Sequence, residues 1–323
     1  MHPDNIQPIM PCTTIPAARI DLEDDTFSLR PDIDECNHAR LRRSISRVGV
    51  LTLPILRPTA GDRYQIISGA RQLGVAVRDL RQEHIDCRLL AAATPDPEAM
   101  AVALEAILAT RRPTLVEQVL FFKKILQWLS REAAAARFLP LLDLKVDSRS
   151  VDRLLRLAEL EAPILAALHL GDLQEATAHD LAALPTADRL ALFEVSHALH
   201  LSTSNQKKLV AAGRELAARQ TCSVAAILAA PEIKEIMAHP QANIPQKSAK
   251  LMDLLAARLS PRLAAAEKDF NRFTAGLNLP KNVRLSHAMS FERDSITLAV
   301  EFKNRRQLEK IWPSLADILD NRD

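Results

Sequence analysis

Seven glycines and a single tyrosine serve a chain of 323 residues. Large antiparallel sandwiches and barrels need glycine at their turns and aromatics on their strands, so this shortage argues against them. Cysteine is scarce too. The four at 12, 36, 87 and 222 form no Cys-x-x-Cys pair and have no histidine at ligand spacing. Reduced thiols in a cytosolic protein are expected, with no zinc site. No run reaches the roughly 20 apolar residues of a membrane span, so no membrane partner is expected. The opening MHPDNIQPIMPCTTIP lacks the basic start and continuous apolar core of a signal peptide. No Ser-His-Asp constellation, G-x-S-x-G elbow or P-loop is discernible. His179, His197 and His200 are scattered along amphipathic stretches without a carboxylate or Cys at ligand spacing. No catalytic and no metal-ligating residue is assigned.

What remains is an apolar, helix-prone chain. Hydrophobic residues make up 48% and charged residues 25%, enough to build cores in two or three domains without staples. Net charge is only +2, yet it is unevenly spread. Residues 1–39 carry two Arg against eight acids, while residues 40–90 carry ten Arg against four acids and no Lys. An all-arginine segment suits bidentate phosphate recognition, and a solvated face paired to the acidic N-terminus is the competing reading.

The pattern along the chain gives an α+β, predominantly helical fold class. An extended arm with four Pro by position 16 comes first, and residues 15–29 can supply a strand. ARLRRSISRV places Leu41, Ile45 and Val48 on one helical face and arginines on the other, and Gly49 ends the helix. Strands follow at LTLPILRP, YQII and HIDCRLL, with a turn at Gly61-Asp62 and a sharp strand-to-helix junction at Ser68-Gly69. Thr94 is expected to cap a new helix with Pro97 near its start. Amphipathic helices then continue, interrupted by HPQANIPQK as candidate linker, to one long helix over 248–273. VRLSHAMSF and SITLAVEF alternate at period two and predict a hairpin around Glu292-Arg293-Asp294, closed by a helix over 306–319. The expected domains are 1–96 (small α+β unit), 97–187 (helical), 188–247 (additional helices and linker) and 248–323 (helix–hairpin–helix).

Three constellations stand out. In YQIISGARQLG, backbone N–H groups after Ser68-Gly69 open toward an anion, and Arg71 adds a charged fork. In LPLLDLKVDSRSVDRLLRLAEL, two short helices around a polar turn read as a helix-turn-helix. Asp147 or Ser148 caps the second helix, Ser148, Arg149 and Ser150 stand where side chains reach base edges, and Arg153 and Arg156 can meet phosphates. Val151, Leu154, Leu155 and Leu157 are expected in its core. In the tail, Phe270, Phe273, Phe291, Phe302, Trp312 and Leu315 offer a large apolar area, best buried between two copies as a homodimer.

These motifs resemble the ParB family of chromosome and plasmid partition proteins. LRRSISRVGVLTLPIL is similar to the family's helix–strand, and YQIISGARQ is similar to its Y-x-x-I-x-G-x-R-R box. HIDCR matches its closing strand, and SRSVDRLLRLAEL with Gly171-Asp172-Leu173 its helix-turn-helix and following helix. The resemblance implies a dimer that binds double-stranded DNA in DNA segregation, associates with nucleoid or plasmid in the cytoplasm and recruits a ParA-type ATPase. It implies a CTP and magnesium site at Ser68, Gly69 and Arg71, with Glu105 as the acid of a second motif. Departures sit in that site. Family G-E-R-R reads Gly69-Ala70-Arg71-Gln72, and E-N-x-x-R reads Glu105-Ala106 with the arginine displaced to Arg111. A degenerate nucleotide site without hydrolysis is therefore expected. A ParB-like transcriptional regulator, or a nucleotide-dependent enzyme or nuclease on this fold, are the alternatives.

Overall fold

The computed structural model describes residues 12–30, 35–277, 279, 282–288 and 295–301, together with 304, 306, 309, 312 and 313. It is predominantly helical with a small mixed sheet, the α+β class expected from the sequence. The chain forms two compact units, Met1–Leu190 and Ala191–Asp323.

The first unit opens on a four-stranded sheet of β1 (Cys12–Pro16), β2 (Ile55–Thr59), β3 (Arg63–Ser68) and β4 (His84–Leu89), ordered β1-β4-β2-β3. Only the β2–β4 pair is parallel. Period two is plain in β4, where Ile85 and Cys87 are buried and His84, Asp86 and Arg88 are exposed. Ile15, Leu56 and Ile66 join them in a core capped by Leu73 and Ala76 of the helical turns after β3. Those turns are α2 (Ala70–Gly74) and a π-helical stretch Val75–Asp79, on which α1 (Glu35–Val48) packs. Gly49 follows α1 at φ 76°.

Helices complete this unit: α3 (Asp96–Leu108), α4 (Leu115–Ile125), α5 (Arg131–Phe138), α6 (Ser148–Leu157), α7 (Ala162–Leu170) and α8 (Glu175–Ala182). Every residue from Ala99 to Leu104 is buried, so the middle of α3 is packed on all sides. Phe121 of α4 meets Phe122 and Phe138 edge-on, with ring centroids 5.5 and 4.8 Å away. Thr94 does not cap α3. Pro95 holds that position, and the Thr94 carbonyl is engaged by Arg57 at 2.8 Å.

Helix α9 (Thr186–Ala198) spans the division between the units, so the expected boundary at 187/188 falls inside a helix. Beyond it lie α10 (Thr203–Gln220), α11 (Val224–Leu228), α12 (Pro231–Ala238), α13 (Ile244–Leu259) and α14 (Pro261–Gly276). Gly213 in mid-α10 is explained by close approach: a Cβ there would stand 2.9 Å from Val224 Cγ1. The expected linker is shorter than HPQANIPQK, because Asn243 and Gln246 form a reciprocal capping box that starts α13 at Ile244. The single helix expected over 248–273 is two. Pro261 has no N–H and its ring collides with the carbonyl four residues back, so Ser260 leaves helical geometry at φ −131°, ψ 69°.

In the tail, β5 (Val283–His287) and β6 (Ile296–Val300) pair antiparallel with Leu285 opposite Leu298, as the alternation predicts. The turn at Glu292-Arg293-Asp294, Phe291, Phe302 and Leu315 lie outside the described residues. Of the closing helix, residues 306, 309, 312 and 313 are described and are helical.

Candidate nucleic-acid interface and phosphate turn

Local chemistry builds the α5–α6 pair. Ser130 Oγ accepts the Ala133 N–H at 3.2 Å and starts α5. Pro140 ends it, shaping residues 140–142 into a 3-10 turn, and Asp143 takes a left-handed φ of 57°. Asp147 Oδ1 then accepts the Ser150 N–H at 2.7 Å and opens α6. That hydrogen bond, above all, holds the Asp147 carboxyl below its ordinary range. Arg131 pairs with Asp152 at 2.7 Å and ties α5 to α6.

Helix α6 is sharply two-faced. Val151, Leu154 and Leu157 are buried, while Ser148, Arg149, Arg153 and Arg156 are exposed and Ser150 is half-buried. Leu155, expected in the core, is only half-buried, because it sits one position round from the Val151–Leu154 stripe. Arg149 and Arg156 make no ion pair among the described residues. Arg153 is differently placed: Nε donates to His179 Nε2 at 2.8 Å, and an Nη nitrogen reaches Glu175 at 2.8 Å. It fastens α6 to α8.

The strand-to-helix junction has the expected shape. Gly69 adopts φ 89°, ψ 17°, and its carbonyl accepts the Leu73 N–H at 3.0 Å. A Cβ on Gly69 would lie 2.8 Å from Pro54 Cβ, so packing within the chain already demands glycine here. Ser68 and Arg71 are half-buried, and Ala70 is exposed where the family pattern has an acid. Glu105 stands exposed on α3, the helix that packs on β3. Helix α2 runs for only five residues. Among the described residues no group of three or more His, Cys, Asp or Glu side chains could hold a metal ion.

Arg111, displaced from the second family motif, has other work. Its Nη1 and Nη2 donate to Glu117 Oε2 and Oε1 at 2.7 and 2.5 Å. Glu117 is wholly buried and shares the Thr114–Glu117 capping box of α4. Burial, the largest influence, would raise its carboxyl pKa, but Arg111, the Thr114 N–H and the nearby His169 together lower it. The capping box is legible in T-x-x-E. Sequence reasoning missed Arg57 altogether. It donates to Gln65 Oε1 at 2.6 Å and Asp96 Oδ1 at 2.7 Å, and lies 5.1 Å over the Phe27 ring, which stacks on Trp128. This joins β2, β3, the start of α3 and the turn after α4.

No family model matches the chain, and no curated protein matches it. Solved structures do. One is the C-terminally truncated chromosome-partitioning protein ParB from Caulobacter crescentus complexed with CTP-γ-S, 19% identical over 57% of this chain and 97% of that one, TM-score 0.27. The same truncated protein complexed to the centromeric parS site is 17% identical over 63% and 99%, TM-score 0.33. The C2221 form of a Pnob8-like ParB-N domain is 12% identical over 77% and 98%, TM-score 0.38. The similarity is loose in each case.

Proposed function

We propose that this chain is a ParB-like partition protein that binds duplex DNA as a dimer and carries a degenerate nucleotide turn. One observation carries the reading. Helix α6, capped by Asp147 and anchored through Val151, Leu154 and Leu157, holds Ser148, Arg149 and Arg156 outward on a rigid support. Ser148, Arg149 and Ser150 read base edges from the first turn, and Arg156 meets the phosphate backbone. Arg153 orients α6 against α8 and adds its remaining exposure to the same field.

Dimerisation is assigned to the tail. No residue of α14 is buried, and Ile296 and Trp312 are 52% and 65% exposed. A second copy provides the missing apolar cover. A ParA-type ATPase partner and association with nucleoid or plasmid follow from the family resemblance of the sequence. Selection of bound duplexes from a random pool, followed by anisotropy titration, tests the proposal. The expected result is a defined site bound in preference to random duplex, with the preference lost in Arg149→Ala. Equal affinity for all duplexes, unaffected by Arg149→Ala, would remove the recognition role of α6.

A further inference from the structure

The ten arginines of residues 40–90 are divided by the fold. Arg57 ends in an ion pair with Asp96 at 2.7 Å, Arg63 approaches Asp21 at 3.7 Å, and Arg78 pairs with Glu23. Helix α1 keeps Arg40, Arg42, Arg43 and Arg47 exposed, with no ion pair among the described residues. The opposite side of α1 does the packing. Ile45 is 4% exposed, and His38 Nε2 meets Asp79 of the π-helical turn at 2.7 Å. At 3.6 residues per turn, Arg40, Arg43 and Arg47 fall within an arc of about 60° and a rise of about 10 Å. Exposed Val48 lies about 100° round the helix from Arg47, outside that arc.

We propose that this arginine face of α1 is a second contact for duplex DNA, made to the phosphate backbone and independent of base sequence. The proposal rests on the DNA-binding reading of α6 and adds a surface to it. Charge complementarity selects the occupant. A duplex carries one phosphate charge per about 1.7 Å, so a rise of about 10 Å faces more phosphates than three guanidinium groups saturate. Guanidinium matches phosphate with two parallel hydrogen bonds, and no lysine occurs before Lys123. The face has no apolar anchor and reads no base edge, so it strengthens binding to every sequence alike.

The test uses the full chain with R40Q/R43Q/R47Q and with R40K/R43K/R47K, titrated onto a random-sequence duplex between 50 and 200 mM salt. Loss of three phosphate contacts lowers the slope of log K against log salt by about 2.7 in the glutamine variant. The lysine variant restores the slope. Preference for the selected site over random duplex stays as in wild type, whereas Arg149→Ala loses it. A wild-type slope in the glutamine variant overturns the proposal and leaves the α6 reading intact. A lysine variant as defective as the glutamine variant makes the effect structural and also overturns it. Binding of the wild type, but not the glutamine variant, to polyglutamate with DNA affinity unchanged reassigns the face to an acidic protein segment. A wild-type chain that binds no duplex at 50 mM salt overturns both readings together.

Discussion

Arg153 and His179 share a hydrogen bond across the α6–α8 contact, Nε donating to Nε2 at 2.8 Å. The ring nitrogen that accepts is unprotonated, so His179 is neutral in this arrangement. Burial first, and then the Arg153 charge, lower its pKa from the ordinary 6.5, against a smaller opposing pull from Glu175. The unfolded chain therefore takes up a proton at this residue before the folded chain does. Stability from this contact is present above about pH 6.5 and is lost as pH falls through the lower folded value. Urea midpoints measured from pH 7.5 to 5.5 should fall for wild type and fall less for His179→Gln. Glu98 and Glu117, both held below their ordinary 4.5, act only at lower pH and leave this window clear.

On DNA the three arginines of α6 should separate. Arg149→Ala is expected to cost about 1–3 kcal/mol on the selected site and to relax preference there. Arg156→Ala should weaken all duplexes alike and reduce the salt slope by about 1. Arg153→Ala should lose less on DNA and about 0.5 kcal/mol of folding stability, the scale of a half-exposed ion pair. A triple alanine variant that binds like wild type in a gel shift would remove the interface from α6.

The tail should govern oligomeric state. A cut at residue 248 would strip Leu251 and Leu255 from the α10–α13 core, where they are 0% and 1% exposed. Removing 261–323 spares that core and takes α14 with the hairpin. Light scattering should report a dimer for the full chain and a monomer for the shortened one. A shortened chain that remains dimeric moves the interface elsewhere.

Gly69 links stability to the nucleotide question. Gly69→Ala forces a left-handed φ on alanine and drives its Cβ to 2.8 Å from Pro54 Cβ, so a loss of about 2–4 kcal/mol is expected in denaturant titration. The wild-type turn, with Ala70 and Gln72 beside Arg71, should bind CTP weakly at best. Phosphate release with CTP, magnesium and bound duplex should stay at background. DNA-stimulated turnover would show a competent site.

Thiol reactivity gives an independent check of the sheet. Cys87 is buried opposite Thr13, and its pKa is raised to about 11 by burial and by the neighbouring Cys12 and Asp86. Cys12 and Cys222 are exposed. In native protein at pH 8, alkylation read by mass spectrometry should mark Cys12 and Cys222 and spare Cys87 until the chain unfolds.

Much of the fold was legible because its signals are local. Alternation in HIDCR gives β4, glycine after SISRV ends α1, and Asp147 before SRS starts α6. The tail hairpin was likewise readable from period two alone. What escaped depends on distant partners. Nothing near Arg57 in the chain announces Asp96, 39 residues on, or the ring of Phe27 beneath it. The bonds of Arg153 to Glu175 and His179 were not legible either, because those residues come close only once α8 folds back. Pro261 was a local signal, but the apolar stripe running through it masked the break.

That break has a mechanical meaning. Ser260 still bonds back to Ala256 at 2.9 Å, and Ala264 to Ser260 at 3.0 Å, but Pro261 cannot bond to Ala257. The bonds that residues 261, 262 and 263 would make to residues 257, 258 and 259 in a straight helix are all absent from the ladder. Helices α13 and α14 are two short rods meeting at Ser260, not one beam. In the proposed tail-to-tail dimer, this joint would stand in each copy between α13 and the shared surface.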